Sequence, residues 1–225
     1  MVDYAAAIKK PFSDMQTLGI GIILGFIPVI SLLVNGYGIG VARKVVNKDN
    51  KLPKWDPGKI VQYVKDFIVG MVISIIYLIP AAILVIFGGI AIIGPIISAA
   101  MGGEISDALA GQLIGSIAAG GILFILAIIL AIIGGLFATM GIIFYAKTGS
   151  IGAAFSFGAI LKKILTGTFL AAFVIYIVYA IVLAIIMGVL SIIPFLGSLI
   201  GLGLLTYATS VTGQTLFAQV FNETP

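Results

Sequence analysis

Long apolar runs separated by short charged segments dominate the chain. Residues 68–103, 108–146 and 164–222 contain no ionisable side chain other than tyrosine. An α-helix needs about 20 residues to cross the roughly 30 Å of a bilayer's hydrocarbon core. The runs are apolar throughout and lack the alternation of a membrane β-barrel strand, so the pattern predicts an all-α integral membrane protein. About four full transmembrane helices are predicted, at residues 67–88, 117–146, 165–190 and 195–217.

The apolar run that begins at Phe67 is too long for one plain span. Its second part, residues 88–103, contains five glycines and Pro95. We interpret this part as a broken or half-inserted segment packed against protein, where irregular backbone is tolerated at membrane depth. The alternative is one long tilted helix that projects beyond the bilayer. Residues 109–121 are predicted to lie at the interface before the next span.

The N-terminal apolar stretch, residues 18–42, either spans the membrane once or forms a re-entrant hairpin. Its segment 21-GIILGFIPVISLL-33 resembles 187-MGVLSIIPFLGSL-199, in which Pro194 falls between two runs that are each long enough to span. Pro194 therefore indicates a turn, because proline disfavours helix at the residue before it. By analogy, Pro28 turns a shorter hairpin that enters and leaves on one side. A single span kinked at Pro28 is the alternative.

The similarity extends upstream of both Ile-Pro pairs and suggests a weak internal repeat, residues 4–43 and 150–217. Each copy begins with small residues, phenylalanine and a lysine pair, Lys9-Lys10 or Lys162-Lys163, before an apolar run. These beginnings suit interfacial amphipathic helices whose lysine stems reach toward headgroups. We expect the first apolar segment to be retained, because no clear small-x-small cleavage site follows it. With no low-complexity linker, the chain is predicted to form one polytopic domain over residues 1–225.

Composition narrows the chemistry that the chain can perform. Charged residues make up 9% of it, against about 25% in a soluble domain, and the mean hydropathy is +1.29. The chain has neither cysteine nor histidine, which removes disulfides, thiolate metal sites and the commonest general base. The predicted spans contain no ionisable residue that would indicate a proton relay or an intramembrane hydrolase. We therefore expect no enzyme activity, no catalytic residue, no metal site and no cofactor. The carboxylates Asp49, Asp56, Asp66, Glu104 and Asp107 are interpreted as solvated groups of surface loops.

The charge distribution predicts which side each loop faces. Residues 43–66 carry seven basic and three acidic side chains, and residues 147–164 carry three lysines and no acid. The positive-inside rule places both loops in the cytoplasm, together with the C-terminus. Loop 101–110, with Glu104 and Asp107, is predicted to be extracellular in a protein of the cell membrane. The net charge of +4 would also suit nucleic acid, but the basic residues lie in short loops, so no nucleic-acid partner is expected.

Residues 43–66 also hold the only tryptophan and the only arginine of the chain. Trp55 suits the aromatic belt at headgroup level, and lysines near the surface favour anionic headgroups by about 1 kcal/mol each. Arg43 could hold a phosphate in a bidentate fork. Arg43, Lys44, Lys54 and Trp55 are therefore candidates for contact with anionic membrane lipids or with a partner protein. The alternative is an ordinary positive-inside anchor without a defined site.

Two segments carry a resemblance to a known family. The pattern 36-GYGIGVARKVVNKDNKLPKWD-56 leads from Gly-Tyr through a basic helix to Leu-Pro-x-Trp-Asp, and 151-IGAAFSFGAILKKI-164 places a small-Phe-x-Phe element before a membrane hairpin. In these features the chain resembles a family of multi-pass membrane proteins with a domain of unknown function, common in archaea and also found in bacteria. The resemblance covers most of the chain and implies a polytopic membrane protein without a known activity. It marks structural positions only, at Pro53, Trp55, Asp56, Phe155 and Phe157, to which the internal similarity adds the turn prolines Pro28 and Pro194.

Small and polar residues in the spans leave two functions open. Glycines recur at helix-contact spacing in the pairs Gly21/Gly25, Gly36/Gly40, Gly111/Gly115 and Gly197/Gly201. They allow close packing within the chain or in a homo-oligomer. A polar stripe in the last span, with Thr206, Ser210, Gly213 and Gln214, either bonds to neighbouring backbone or lines a water-filled path. The chain is then either a non-catalytic protein that organises lipid or a partner through its basic tryptophan loop, or a channel or passive transporter that uses broken segments.

Overall fold

The computed structural model describes residues 2–102 and 107–224, which form α-helices, short 3₁₀ turns and no β-strand. The eight α-helices of these residues are α1 (Tyr4–Lys9), α2 (Met15–Phe26), α3 (Ser31–Val46), α4 (Ile60–Gly102), α5 (Asp107–Thr148), α6 (Phe157–Ile164), α7 (Gly167–Leu190) and α8 (Leu196–Glu223). Within the described residues, α4, α5, α7 and α8 are long and apolar enough to cross a membrane. The prediction of an all-α membrane protein with four such helices is confirmed.

The chain divides into two compact units, one formed by Met1–Ile73 and Phe137–Pro225 and the other by Ser74–Leu136. In the first unit α8 is the central helix, and α2, α3 and α7 pack against it. The second unit consists of helical segments from α4 and α5. The sites described below lie in the first unit.

Residues 18–42 form a hairpin of two antiparallel helices and not one kinked helix; that this hairpin is re-entrant in the membrane stays a prediction. Helix α2 ends at Phe26, Ile27 takes an extended backbone, and α3 begins at Ser31. Along α8, Gly21 lies against Tyr207 and Gly25 against Gly203, so α2 runs antiparallel to α8.

Helix α3 instead runs parallel to α8. The hydroxyl of Ser210 donates to the carbonyl of Val34 at 3.3 Å, and the side-chain amide of Asn222 donates to the carbonyl of Val45 at 2.9 Å. Because α2 and α3 run in opposite directions along one helix, both ends of the hairpin lie at the end of the unit where α8 finishes. Pro28 and Pro194 occupy exposed turns, after α2 and before α8 respectively.

The prediction of a broken segment at residues 88–103 is wrong as far as the structure describes it, because α4 continues without interruption to Gly102. The physical reason is that its glycines serve helix packing. A side chain at Gly120 of α5 would lie 2.9 Å from the carbonyl oxygen of Gly88, so these glycines bring α4 and α5 into contact within the second unit. Pro80 and Pro95 lie inside the helix, as membrane helices tolerate. The alternative of one long helix therefore holds.

Helix α5 is also longer than predicted. It begins at Asp107 and absorbs residues 109–121, which we had expected at the interface. Helix α4 has 43 residues and α5 has 42, or about 65 and 63 Å at 1.5 Å per residue. Both exceed the roughly 30 Å of hydrocarbon in a bilayer. Of the predicted extracellular loop 101–110, residues 103–106 lie outside the described residues.

Three segments meet at one end of the first unit, which we call the polar end. The ammonium of Lys147, at the end of α5, contacts the side-chain oxygen of Asn47 at 3.0 Å. The ammonium of Lys163 in α6 reaches the carbonyls of Phe221 and Thr224 at the end of α8. The two basic segments and the C-terminal end of α8 thus lie together. This arrangement agrees with the prediction that all three face the same side of the membrane. That this side is the cytoplasm stays a prediction.

Candidate functional site

Trp55 anchors the loop between α3 and α4 to the helical hairpin. Its ring stacks on Tyr37 with ring centres 4.1 Å apart and meets Tyr63 edge-on at 5.6 Å. Its indole nitrogen donates to the carbonyl of Thr17 at 3.0 Å, and the hydroxyl of Tyr37 donates to the carbonyl of Pro53. The tryptophan therefore holds α2, α3 and α4 together through one side chain, in addition to presenting part of its surface outward.

The remaining structural motif residues are placed as follows. The carboxylate of Asp56 accepts from the backbone N–H of Gly58 at 2.9 Å and so caps the 3₁₀ turn that opens into α4. Phe157 begins α6 with an exposed ring whose centre is 6.1 Å from that of Phe137. Phe155 ends the 3₁₀ turn before α6. These positions shape the two connections that the family resemblance had indicated.

Arg43 is committed to a partner within the chain. Its two terminal nitrogens donate to the two oxygens of Asp66, at 2.9 and 2.8 Å, in a bidentate fork. The interpretation of Asp66 as a solvated loop carboxylate is wrong, because Asp66 lies in α4 and is 0% exposed. Helix α4 begins at Ile60, and Asp66 lies on the face of α4 that meets Arg43 of α3 and Tyr145 of α5.

Two further donors complete the coordination of this carboxylate. The side-chain amide of Gln62 donates to Asp66 at 2.9 Å, and the hydroxyl of Tyr145 from α5 donates at 2.8 Å. The guanidinium of Arg43 also lies 5.9 Å from the centre of the Tyr145 ring. A buried charge is tolerated only when it is paired and hydrogen-bonded, and Asp66 meets this condition. The network joins α3, α4 and α5 at the polar end.

A pocket of about 410 Å³ opens above this ion pair, and we call it the basic pocket. Its charged lining consists of the cations Arg43, Lys44 and Lys59 and the carboxylates Asp49 and Asp66. Lys44 lies 3.2 Å from Asp49, with both side chains exposed by 40% or more. The backbone N–H of Lys51 and the ammonium of Lys44 lower the pKa of Asp49, so this carboxylate is ionised. Lys59 lies 3.6 Å from Asp56, which lines the neighbouring pocket, so each of the three cations has a carboxylate partner.

A second pocket of about 420 Å³ lies beside the first, and we call it the apolar pocket. Trp55 and Tyr63 form part of its wall, and Tyr63 also lines the basic pocket. The other lining residues are mostly aliphatic: Gln16, Ile20, Leu24, Leu33, Asp56, Pro57 and Ile60. The basic pocket and the apolar pocket therefore share one lining residue, Tyr63.

The four residues singled out from the sequence have different places in this arrangement. Arg43 and Lys44 line the basic pocket, Trp55 lines the apolar pocket, and the exposed Lys54 lines neither. The sequence reasoning missed Lys59, Gln62 and Asp66 as members of the site. Their spacing of three and four residues would place them on one helix face, and this spacing is the signal that could have grouped them.

The glycine pairs and the polar stripe serve packing where the structure gives them contacts. Both members of the pairs Gly21/Gly25 and Gly197/Gly201 lie against neighbouring chain, whereas around Gly111 and Gly115 there is open space. In the stripe, Ser210 bonds to the backbone of α3, and the hydroxyl of Thr209 donates to its own helix at the carbonyl of Leu205. The Ser210 hydroxyl therefore bonds between helices and the Thr209 hydroxyl bonds within α8. Both bonds go to neighbouring backbone, as the first interpretation of the stripe proposes.

Comparison with known proteins assigns the chain to a family but to no activity. Neither the curated proteins nor the solved structures yield a match. A family model described as "Protein of unknown function (DUF4013)" matches residues 19–195. The matched region runs from α2 to the turn before α8 and includes nearly every residue of the two pockets. The chain therefore belongs to the DUF4013 family of proteins of unknown function.

Proposed function

We propose that this chain is a non-catalytic multi-pass protein of the cell membrane that binds an anionic phospholipid at its polar end. The lipid phosphate would lie in the basic pocket and an acyl chain in the apolar pocket. The observation that carries this proposal is the junction of the two pockets at Tyr63. A phospholipid has the same pairing of an anionic group with an apolar chain.

Lys44 and Lys59 are the cations available to a headgroup. The guanidinium of Arg43 is neutralised by the buried Asp66, so its part is to hold the pocket wall. Lys44 pairs with Asp49 and Lys59 pairs with Asp56, both at the surface, where an ion pair contributes only about 0–1 kcal/mol. A lipid phosphate can therefore displace either carboxylate. Each lysine near the membrane surface contributes about 1 kcal/mol toward an anionic headgroup.

The polar end also fits the cytoplasmic face of the membrane. The segments after α3 and after α5 carry most of the basic residues, and both contact the end of α8 or each other in the first unit. Lysines in short loops resist translocation. We therefore place both pockets at the inner leaflet. Of the two broken segments on which the channel alternative rests, residues 88–102 form a continuous helix, whereas the chain does turn at Pro28. We favour lipid binding because of the two neighbouring pockets.

The only tryptophan of the chain lines the apolar pocket, so its fluorescence tests the proposal. The purified protein is placed in nanodiscs in which either an anionic or a zwitterionic phospholipid carries brominated acyl chains. Bromine quenches indole at contact distance. At equal brominated fraction, we expect stronger quenching by the anionic lipid, and we expect Lys44→Gln with Lys59→Gln to remove this preference.

The matched control is Lys54→Gln, which removes an exposed cation of the same loop that lines neither pocket. It should leave the preference for the anionic lipid intact. Equal quenching by the two lipids in the wild-type protein would overturn the proposal. So would an equal effect of Lys54→Gln, since the loop would then act through its overall charge and without a defined site.

A further inference from the structure

A small cavity of about 140 Å³ lies apart from both pockets, where the N-terminal segment meets α8. Its lining residues are Asp3, Ala6, Lys10, Asn50, Thr215 and Gln219. We infer that this cavity, the Lys10 cavity, is a binding site for a small tetrahedral oxyanion of the phosphate class. A single water needs only about 10–15 Å³ of such space, so the cavity has room for an oxyanion.

Lys10 is the first observation that points to a ligand. Its side chain is 7% exposed, and its ammonium makes no hydrogen bond or ion pair with any residue that the structure describes. An unpaired charge costs several kcal/mol when it is removed from water, so native structures pair buried charges. Lys10 thus lines the cavity with an ammonium that has no partner among the described residues, so water or a bound anion there must complete its hydrogen bonds.

Thr215 is the second and independent observation. It lies on α8, is 1% exposed, and its hydroxyl has no hydrogen-bond partner among the residues that the structure describes. Buried polar atoms in native proteins are bonded in the great majority of cases, to protein, water or ligand. Two side chains from different parts of the chain, an ammonium and a hydroxyl, thus line one cavity with their hydrogen-bonding capacity unused.

The internal repeat supplies a direct comparison. Lys10 ends Ile8-Lys9-Lys10, and Lys163 ends Leu161-Lys162-Lys163 in the second copy. In both pairs the second lysine is buried and the first is exposed. The ammonium of Lys163 donates to the carbonyls of Phe221 and Thr224 at 3.0 and 2.7 Å. The same local sequence therefore buries a satisfied ammonium in one copy and an unsatisfied one in the other.

The other polar groups of the cavity favour an anion as the missing partner. The side-chain oxygen of Gln219 accepts from the backbone N–H of Asp3 at 3.0 Å, which leaves its amide nitrogen as a donor. Asn50 adds a second amide. One oxygen of Asp3 accepts from the N–H of Ala6 at 2.8 Å, and its other oxygen can accept from a protonated oxyanion. Donors outnumber acceptors, as an oxyanion site requires.

The charge of Lys10 links occupancy to pH. Burial lowers its pKa from 10.5 to about 8, while the nearby Asp49 raises this pKa and Lys44 lowers it. Asp3 is the carboxylate that lines the cavity itself. An anion in contact with the ammonium favours its charged form. The bound state therefore takes up a proton, and binding should weaken as the pH rises above about 8.

The test measures binding of inorganic phosphate to the purified chain in a neutral detergent, by isothermal titration calorimetry between pH 8 and 9.5. Phosphate keeps one proton over this range, which the free oxygen of Asp3 can accept, so the pH dependence belongs to the protein. Sulfate, which has no proton to donate, is a second probe and should bind more weakly, and short-chain phosphatidic acid in the micelle is a third. The soluble probes and the lipid probe separate a free oxyanion from a lipid phosphate as the source.

We expect Lys10→Met to weaken binding about 10- to 100-fold, since bonds to a charged group are among the strongest hydrogen bonds in proteins. Thr215→Val should weaken it by a smaller factor. Lys9→Met, which removes the exposed neighbour, is the matched control and should bind like the wild-type protein. Binding of phosphatidic acid alone, dependent on Lys10, would support the site with a lipid phosphate as its ligand.

Some results would overturn the inference. No binding of any probe to the wild-type protein would mean that the cavity holds water only. Equal weakening by Lys9→Met and Lys10→Met would place the anion at the surface. Thr215→Val is nearly isosteric and keeps the test valid if Lys10→Met fails to fold. The Lys10 cavity shares no residue with the basic pocket, so loss of lipid selectivity in Lys59→Gln leaves this inference untouched.

Discussion

Removal of the Arg43 guanidinium is the most direct test of how the polar end is held together. In Arg43→Met the fully buried Asp66 loses both bonds of the bidentate fork and keeps only those from Gln62 and Tyr145. Loss of one partner from a buried ion pair costs about 3–5 kcal/mol, because a charge remains without compensation. Two donors remain and Arg43 is itself 32% exposed, so we expect the lower end, about 3 kcal/mol.

A second variant separates the buried charge from simple loss of packing. In Arg43→Met with Asp66→Asn, the amide oxygen of the new asparagine still accepts from Tyr145 and Gln62, but no charge is left in the interior. Replacement of a buried ion pair by neutral groups of similar volume is often close to neutral for stability. We therefore expect the double variant to recover most of the loss, with a coupling free energy of about 2 kcal/mol between the two sites.

Reversible unfolding in mixed micelles of increasing dodecyl sulfate content, followed by the fluorescence of the single Trp55, gives the free energy of unfolding for each variant. Lys44→Met is the matched control, because its ion pair with Asp49 lies at the surface and should contribute about 0–1 kcal/mol. If Arg43→Met and Lys44→Met lose the same small amount, Asp66 is not held as a buried carboxylate, and the reasoning fails.

The structure also predicts the direction of three further effects on stability or on hydrogen exchange. A methyl group at Gly36 would overlap the carbonyl of Tyr63, whereas Gly40 in the same helix faces open space. Thermal unfolding should therefore show Gly36→Ala destabilised by about 1–3 kcal/mol. Gly40→Ala is the control and should be unchanged or slightly stabilised. Lys163→Met removes the ammonium that binds the last carbonyls of α8. Because charge-assisted bonds are lost, hydrogen exchange in the final turn of α8 should accelerate about 10-fold or more. Unchanged exchange in that turn would contradict a stabilising role for Lys163. In anion-free buffer the unfolded chain binds more protons at Lys10 than the folded chain does between pH 8 and 10.5. The free energy of unfolding should therefore rise with pH over this range, by up to about 3 kcal/mol. This rise should be absent from Lys10→Met, and a rise that persists in the variant would exclude Lys10 as its source.

The helices that cross apolar runs were predictable because a long apolar run has one stable arrangement in lipid. Helix α7 (Gly167–Leu190) lies within two residues of its predicted bounds at both ends. The broken segment at 88–103 was misjudged for a tertiary reason. Glycine and proline indicate a break in local terms, but Gly88 packs against Gly120, and no local pattern reveals which distant helix a glycine will meet.

The candidate site was likewise predictable from the sequence only in part. The sequence led to Arg43, Lys44 and Trp55 because arginine and tryptophan each occur once and lie in a basic loop. It did not lead to the burial of Asp66, since this depends on Arg43 of α3 and Tyr145 of α5 packing against one face of α4, which no local pattern reveals. It also did not predict that Trp55 would stack on Tyr37. The residue types of the site were thus predictable, whereas their pairing was not.

These pairings explain how apolar helices acquire a defined arrangement in the first unit. Lipid tails are as apolar as leucine, so apolar faces alone give membrane helices little reason to choose one neighbour over another. Close glycine contacts such as Gly25 with Gly203 set the approach of α2 to α8. At the polar end, Asp66 and Trp55 each join three helices through directional bonds. A headgroup that binds beside them would therefore contact α3 and α4 together, and its presence or absence would act on the arrangement of the helices as well as on the loop.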